Sequence, residues 1–338
     1  MRAAVLDGDL GLRDVPAPVA GPGEVLVAPT KVGICGSDVH FVIDKTATTR
    51  YEPIILGHEA TGVVVELGPG TAGPRPGTRV SIIPLVSCHE CDQCARGRTV
   101  LCRVSQCLGA ERDGAWAELI AVPARNLVPV PEGLPDELAA VATDSVATAY
   151  HAVRSRGGVG PGSRVAVWGT GGLGLSAVGI AKTLGADMVI AVDPRPEARG
   201  WAAQTGADVV LHPDEALSRI TGMGGVDTAL EFVGRPETVE LALRSLDAGG
   251  TAVAVGIGAG KVTASHLMTF VVRERSLVGS YGHEPADVGE VLELMSSGRL
   301  LLPKAVGDVI GLSQVNRGLE RVHAGDTGGS RIVLDIQG

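Results

Sequence analysis

Aromatic side chains are scarce: three Trp, three Tyr and three Phe make up 3% of 338 residues. Base stacking on single-stranded nucleic acid depends on such rings. A phosphate-binding face depends on gathered Lys and Arg, yet acidic residues outnumber basic ones 38 to 29, for a net charge of -9. No nucleic-acid partner is expected. No charge-free apolar run is long enough for a membrane span, so no membrane partner is expected either. The opening Met1–Leu10, with Asp7 and Asp9, lacks the character of a signal or transit peptide. A cytoplasmic location follows as an expectation. Internal repeats are absent too.

What remains is a globular composition. Hydrophobic residues reach 45%, and 48 Gly and 20 Pro are scattered rather than gathered. At this length two domains are expected. Six cysteines in a reducing compartment point to metal rather than disulfides.

The first 145 or so residues read as short β-runs broken by Gly and Pro: 24–28, 60–67, 79–84 and 116–122. That texture suggests a small barrel-like domain. Beyond the loop at 155–163, apolar runs at 164–168, 188–193, 209–211, 227–233, 251–257 and 277–280 alternate with helical patterns. Such alternation predicts an α/β unit with a parallel, doubly wound sheet. A helical stretch at 285–297 leads to a last β-run at 331–336.

Cys88, Cys91, Cys94 and Cys102 lie on one polar loop. Four thiolates complete a tetrahedral zinc shell with no open position, which is a structural site. Cys107 falls outside the spacing and reads as a buried free thiol. A second set is dispersed, with Gly33-Ile34-Cys35-Gly36-Ser37-Asp38-Val39-His40 followed by Gly57-His58-Glu59. A catalytic zinc needs three protein ligands and one open position. Cys35 and His58 supply two suitable donors.

Arg164–Trp168, an apolar run, is followed by Gly169-Thr170-Gly171-Gly172-Leu173-Gly174 and an Ala-rich stretch to about Leu184. Strand, GxGxxG and helix in that order form the dinucleotide fingerprint, whose glycines admit the pyrophosphate. Asp193 ends the next strand about twenty residues on, where an acid accepts from the ribose hydroxyls. This favours NAD, while Arg195 and Arg199 keep NADP possible.

Together these motifs make the sequence resemble the zinc-containing medium-chain dehydrogenases, the family of alcohol, sorbitol, threonine and formaldehyde dehydrogenases. The resemblance implies a GroES-like, partly open β-barrel catalytic domain at 1–148, a Rossmann coenzyme domain at 149–281, and a return to the first domain at 282–338. It implies catalytic zinc on Cys35, His58 and Asp144, the aspartate replacing the Cys or Glu of other members, with Glu59 as auxiliary ligand and Asp38 behind the imidazole. Asp144 on its own also suits a helix N-cap. Ser37 and His40 resemble the relay that carries the substrate proton to solvent. Thr148, Val233, Val255 and Ile257 resemble residues lining the nicotinamide site, and Arg331 resembles a basic residue near the pyrophosphate. The expected activity is hydride transfer between a secondary alcohol, polyol or amino-alcohol and NAD(P), with two zinc ions per chain, in a homo-oligomer, dimer or tetramer. Polar residues at 44–53, 283–284 and 295–298 favour a hydroxyl-rich or amino-bearing substrate. A non-catalytic sensor or structural protein on the same fold is the competing reading; the intact donor and relay set argues against it.

Overall fold

A computed structural model describes residues 1–263 and 266–338. The chain forms two units. The first comprises Met1–Ser145, His283–Ser297 and Val306–Gly338; the second comprises Val146–Gly282 and Gly298–Ala305.

In the first unit a seven-stranded sheet runs Leu127–Pro129, Arg79–Ile82, Glu59–Leu67, Glu24–Ile34, Arg331–Asp335 and Val306–Gly311, with Ile120–Pro123 also pairing on Glu24–Ile34. Glu24–Ile34 is longer than the expected 24–28. Pro29 made the run look finished, but it sits where the pairing with Glu59–Leu67 shifts register, a position at which the missing N–H is tolerated. At the other end, Ile332 pairs antiparallel with Ile34, which sets Arg331 beside the end of the central strand. Val25, Val27, Val32 and Ile34 are wholly buried, and Ile54, Leu56 and Trp116 pack in the same core. Complete burial of each aliphatic side chain contributes about 1.5–3 kcal/mol.

The second unit is an all-parallel six-stranded sheet ordered Val209–Leu211, Met188–Val192, Arg164–Trp168, Val226–Glu231, Leu246–Ala254 and Ser276–Gly279. Counted within the unit this is 3-2-1-4-5-6, the Rossmann order. Its crossover helices include Pro196–Thr205, Pro213–Gly222 and Pro236–Arg244, each opened by a proline. Proline suits the first helical position, where its φ is preset and the missing N–H has no partner to lose. The strand expected at 251–257 begins at Leu246 and ends at Ala254, which leaves Val255 and Ile257 in the loop beyond it. Gly298–Ala305 joins this unit rather than the first, as 282–338 was expected to do throughout. Leu300 and Leu302 lie over Gly179 so closely that a Cβ there would meet Leu302 at 2.8 Å.

Candidate metal and coenzyme sites

The central strand Glu24–Ile34 delivers Cys35 to the start of the helix Gly36–Val42. One Asp38 oxygen accepts the Cys35 N–H at 2.8 Å, so a single helical turn fixes the thiol and the acid together. His58 follows Gly57, whose φ is +92° and where a Cβ would fall 2.2 Å from the Trp116 indole. Only glycine lets the buried ring press against this backbone. Glu59 opens the strand Glu59–Leu67, paired with Gly33. Asp144 is no N-cap: it lies in a widened, π-type turn, Ala142–Val146, that continues the helix Asp136–Val141. Such turns are rare in helices and frequent at functional sites.

These segments bring Cys35, His58, Glu59 and Asp144 together, with one donor atom from each inside a mutual distance of 4.8 Å. Cys35 Sγ is 3.4 Å from Asp144 Oδ2, and His58 Nε2 is 3.7 Å from the same oxygen. Bonds of about 2.0–2.3 Å in a tetrahedral shell require ligand separations of about 3.3–3.8 Å; the two separations from Asp144 fall in that range, and all the donors lie within 4.8 Å of one another. The second Asp38 oxygen is 3.5 Å from His58 Nδ1. It faces the nitrogen opposite the donor, as an orienting carboxylate does behind a metal-bound imidazole.

The site is strongly charged. Burial lowers the His58 pKa, but Asp38 and Asp144 outweigh it and hold the imidazole well above its ordinary value. Burial raises Asp144, yet His58 and then Arg331 carry it well below the usual carboxylate range. Burial lifts Glu59 to about 8 against the pull of Arg331. Asp38, Asp144 and the Cys35 thiol thus face two cationic groups, the imidazole and the Arg331 guanidinium, and a metal ion held by these donors would have to displace the imidazole's proton.

Arg331 sits in this cluster. Its guanidinium donates to Glu59 at 2.8 and 3.0 Å and to Cys35 Sγ at 3.3 Å. The expectation had been the coenzyme pyrophosphate. The residue's local sequence gave no signal of this placement, which follows from the pairing of Ile332 with Ile34. Ser37 Oγ lies 3.4 Å from His58 Nε2, whereas the half-exposed His40 bonds Asp44 at 3.0 Å. No hydrogen bond joins Ser37 to His40 among the described residues.

The four-cysteine loop is a separate, compact cluster. Its sulfurs are 3.5 Å apart for Cys88 and Cys102, 3.6 Å for Cys91 and Cys94, and 4.0 Å for Cys88 and Cys94. Zinc–sulfur bonds of about 2.3 Å imply edges of about 3.8 Å, so the cage fits zinc. Backbone N–H groups of Glu90 and Cys91 donate to Cys88 Sγ and lower its pKa. Those of Arg103 and Cys94 help bring Cys91 to about 6. Glu284 ties the loop to the helix Pro285–Ser296 by accepting the N–H groups of Thr99 and Val100 at 2.9 and 3.3 Å.

In the second unit, Gly171 precedes the helix Gly172–Thr183, and a Cβ on Gly174 would stand 1.9 Å from the Gly169 carbonyl oxygen. Strand end and helix start therefore touch backbone to backbone. A cavity of about 130 Å³ opens beside them, lined by Gly171, Gly172, Leu173, Gly174, Phe232, Val255 and Gly256. Backbone N–H groups at such a helix start suit a pyrophosphate. Asp193 is buried and accepts from Thr170 N–H at 2.9 Å. Arg195 Nε and one terminal nitrogen grip its carboxylate at 3.0 Å each. Arg199 is spent on the Asp193 and Pro194 carbonyls. Thr148 is buried, whereas Val233 and Ile257 are exposed.

Comparison with known proteins points the same way. The description "Alcohol dehydrogenase GroES-like domain" matches residues 21–132, and "Zinc-binding dehydrogenase" matches 172–297. The chain is 34% identical over 326 residues to the L-threonine 3-dehydrogenase of Pyrococcus horikoshii, covering 93% of this chain and 92% of that one. It is also 34% identical over 343 residues to an alcohol dehydrogenase of Geobacillus stearothermophilus, covering 99% and 100%. A zinc-binding dehydrogenase of Sinorhizobium meliloti, solved with NADP bound, superposes with a TM-score of 0.91 at 30% identity, covering 99% of each chain.

Proposed function

The chain belongs to the zinc-containing medium-chain dehydrogenases, and on that premise we propose that Cys35, His58 and Asp144 hold its catalytic zinc and the 88–102 loop a structural one. It is an NAD(P)-linked oxidoreductase that acts on the CH–OH group of a secondary alcohol, polyol or amino-alcohol. One observation carries the site assignment: donors from three separate segments converge within 4.8 Å, with Cys35 and His58 at tetrahedral edge lengths from one Asp144 oxygen and Asp38 behind the imidazole. Bound zinc supplies Lewis-acid activation of the substrate hydroxyl. Asp38 keeps Nε2 of His58 facing the donor cluster. Ser37, already at that nitrogen, would take the substrate proton while giving up its own, and the half-exposed His40, reached through an intervening hydroxyl or water, would release a proton to solvent, a task suited to an imidazole near neutral pH. Gly169, Gly171, Gly172, Leu173 and Gly174 bind the coenzyme's pyrophosphate through backbone N–H groups, and Asp193 its adenosine ribose. Thr148, Val233, Val255 and Ile257 would line the nicotinamide, which would supply the hydride acceptor.

The protein works as a homo-oligomer. In support, the helix Leu267–Val272 exposes Leu267, Met268, Val271 and Val272, each by more than 60%, beside the edge strand Ser276–Gly279, and such an apolar patch suits a second copy. A cytoplasmic location agrees with six unbridged cysteines. Among the described residues no helix is long and apolar enough to cross a membrane. The deciding experiment is metal analysis together with NADH and NADPH formation from secondary alcohols, polyols and amino-alcohols, with light scattering on the same sample. Full zinc content without reduction of either coenzyme would sink the enzyme assignment.

A further inference from the structure

We propose that Arg195 selects the coenzyme: seated on Asp193, its guanidinium shields the acid and offers its outer edge to the 2′-phosphate of NADP, so that this chain takes NADP as well as NAD. The inference rests on the coenzyme reading above and deepens it, with Asp193 meeting a phosphorylated ribose through the guanidinium it holds. Asp193 follows the strand Met188–Val192 and is 3% exposed. Burial works against its ionisation, but the bonds from Arg195 and Thr170 hold its pKa below the ordinary value. It is therefore a carboxylate, an acceptor with about four lone-pair positions. Four donors already fill them: the Arg195 N–H and Nε on Oδ1 at 2.9 and 3.0 Å, and the Thr170 N–H and Arg195 Nη2 on Oδ2 at 2.9 and 3.0 Å.

An acid in this place accepts from the ribose hydroxyls of NAD, and here they find it occupied. To admit them the Arg195 side chain has to leave. The two backbone donors stay, and each oxygen then has a position for one hydroxyl, 2′ or 3′. NADP needs no such move. A bare carboxylate would repel its 2′-phosphate, whereas a carboxylate paired with Arg195 does not. Of the guanidinium's five donors, two face Asp193. The edge between Nη1 and Nη2 has no acceptor among the described residues and belongs to a side chain 44% exposed. A planar fork can hold a carboxylate on one edge and a phosphate on another. Arg199 reaches the same corner, but its Nη1 is held by the Asp193 and Pro194 carbonyls. It contributes charge there, which offsets Glu197 in the first turn of the helix Pro196–Thr205. Arg195 is the N-cap residue of that helix and makes no capping bond with its side chain, so Arg195→Ala removes the guanidinium and leaves the helix its start.

The test is equilibrium binding of NADPH and NADH to the zinc-loaded full chain, read by calorimetry with no alcohol present. Wild type should bind both. Arg195→Ala should weaken NADPH about tenfold or more, the loss of hydrogen bonds between charged groups, while NADH binds as tightly as before or more tightly. NADPH affinity unmoved by Arg195→Ala overturns the proposal. So does an equal weakening of both dinucleotides, which marks a structural role for the side chain. A wild-type chain that binds NADH and shows no binding of NADPH overturns it independently of any variant. Binding of neither dinucleotide to wild type overturns the coenzyme reading of the Gly169–Gly174 turn and takes the inference with it.

Discussion

The cysteine loop draws its four thiols from residues 88–102 and braces their sulfurs with N–H groups of the same loop. The catalytic set joins Cys35 to an aspartate 109 positions away and is braced by side chains, Asp38 on His58 and Arg331 on Glu59. The first is a closed cage whose order and metal come together, because separate thiolates on a polar loop have no core to hold them. The second is pre-shaped by the barrel core and crowded with charge, and its spare position is where chemistry happens. On the proposed reading one ion stabilises a loop, and the other keeps a position for substrate.

The contrast is sharpened most by removing one ligand from each. Cys35→Ser should lower turnover about a thousandfold or more, since metal activation is worth several kcal/mol, while zinc in the cysteine loop stays at one ion per chain by metal analysis. Asp38→Asn should cost about 10–100-fold in activity or catalytic-metal affinity, measured by competition with a chelator, with the loop site unmoved. Cys91→Ser should reverse the pattern: zinc falls to the catalytic ion alone, protease cuts appear within 88–102, and turnover changes by about threefold or less while the protein remains folded. A thousandfold loss there would erase the distinction between the sites. The smallest effect is expected at Cys107, which belongs to neither set. Burial pushes its thiol up to about 12, so it should alkylate far more slowly at pH 8 than an ordinary cysteine, and Cys107→Ser should leave both ions bound.

The two sites also differ in how far the sequence disclosed them. Short spacing made the 88–102 cage and the Gly169–Gly174 turn legible, because local backbone geometry does most of the work in each. The alternation of apolar runs likewise foretold the parallel sheet. Asp144 was reached through family resemblance; no periodicity announces the widened turn that presents it. Arg331 was placed by analogy at the coenzyme and is found on Glu59. Its neighbours in space are set by the pairing of Ile332 with Ile34, and strand pairing across some 300 positions leaves no mark in local pattern. Pro29 hid half of the central strand because a bulge cannot be foreseen without its partner strand.

The placement of Gly298–Ala305 bears on how this protein could be cut and rejoined. The chain passes between the units at 145/146, 282/283, 297/298 and 305/306, so no single cleavage releases either of them whole. A gene fragment encoding 146–282 would leave Gly179 without the cover of Leu300 and Leu302 and should yield an aggregation-prone product. Grafting this coenzyme unit onto another catalytic half therefore requires two inserts, the second only eight residues long, and an exchange limited to the first would fail for want of two leucines.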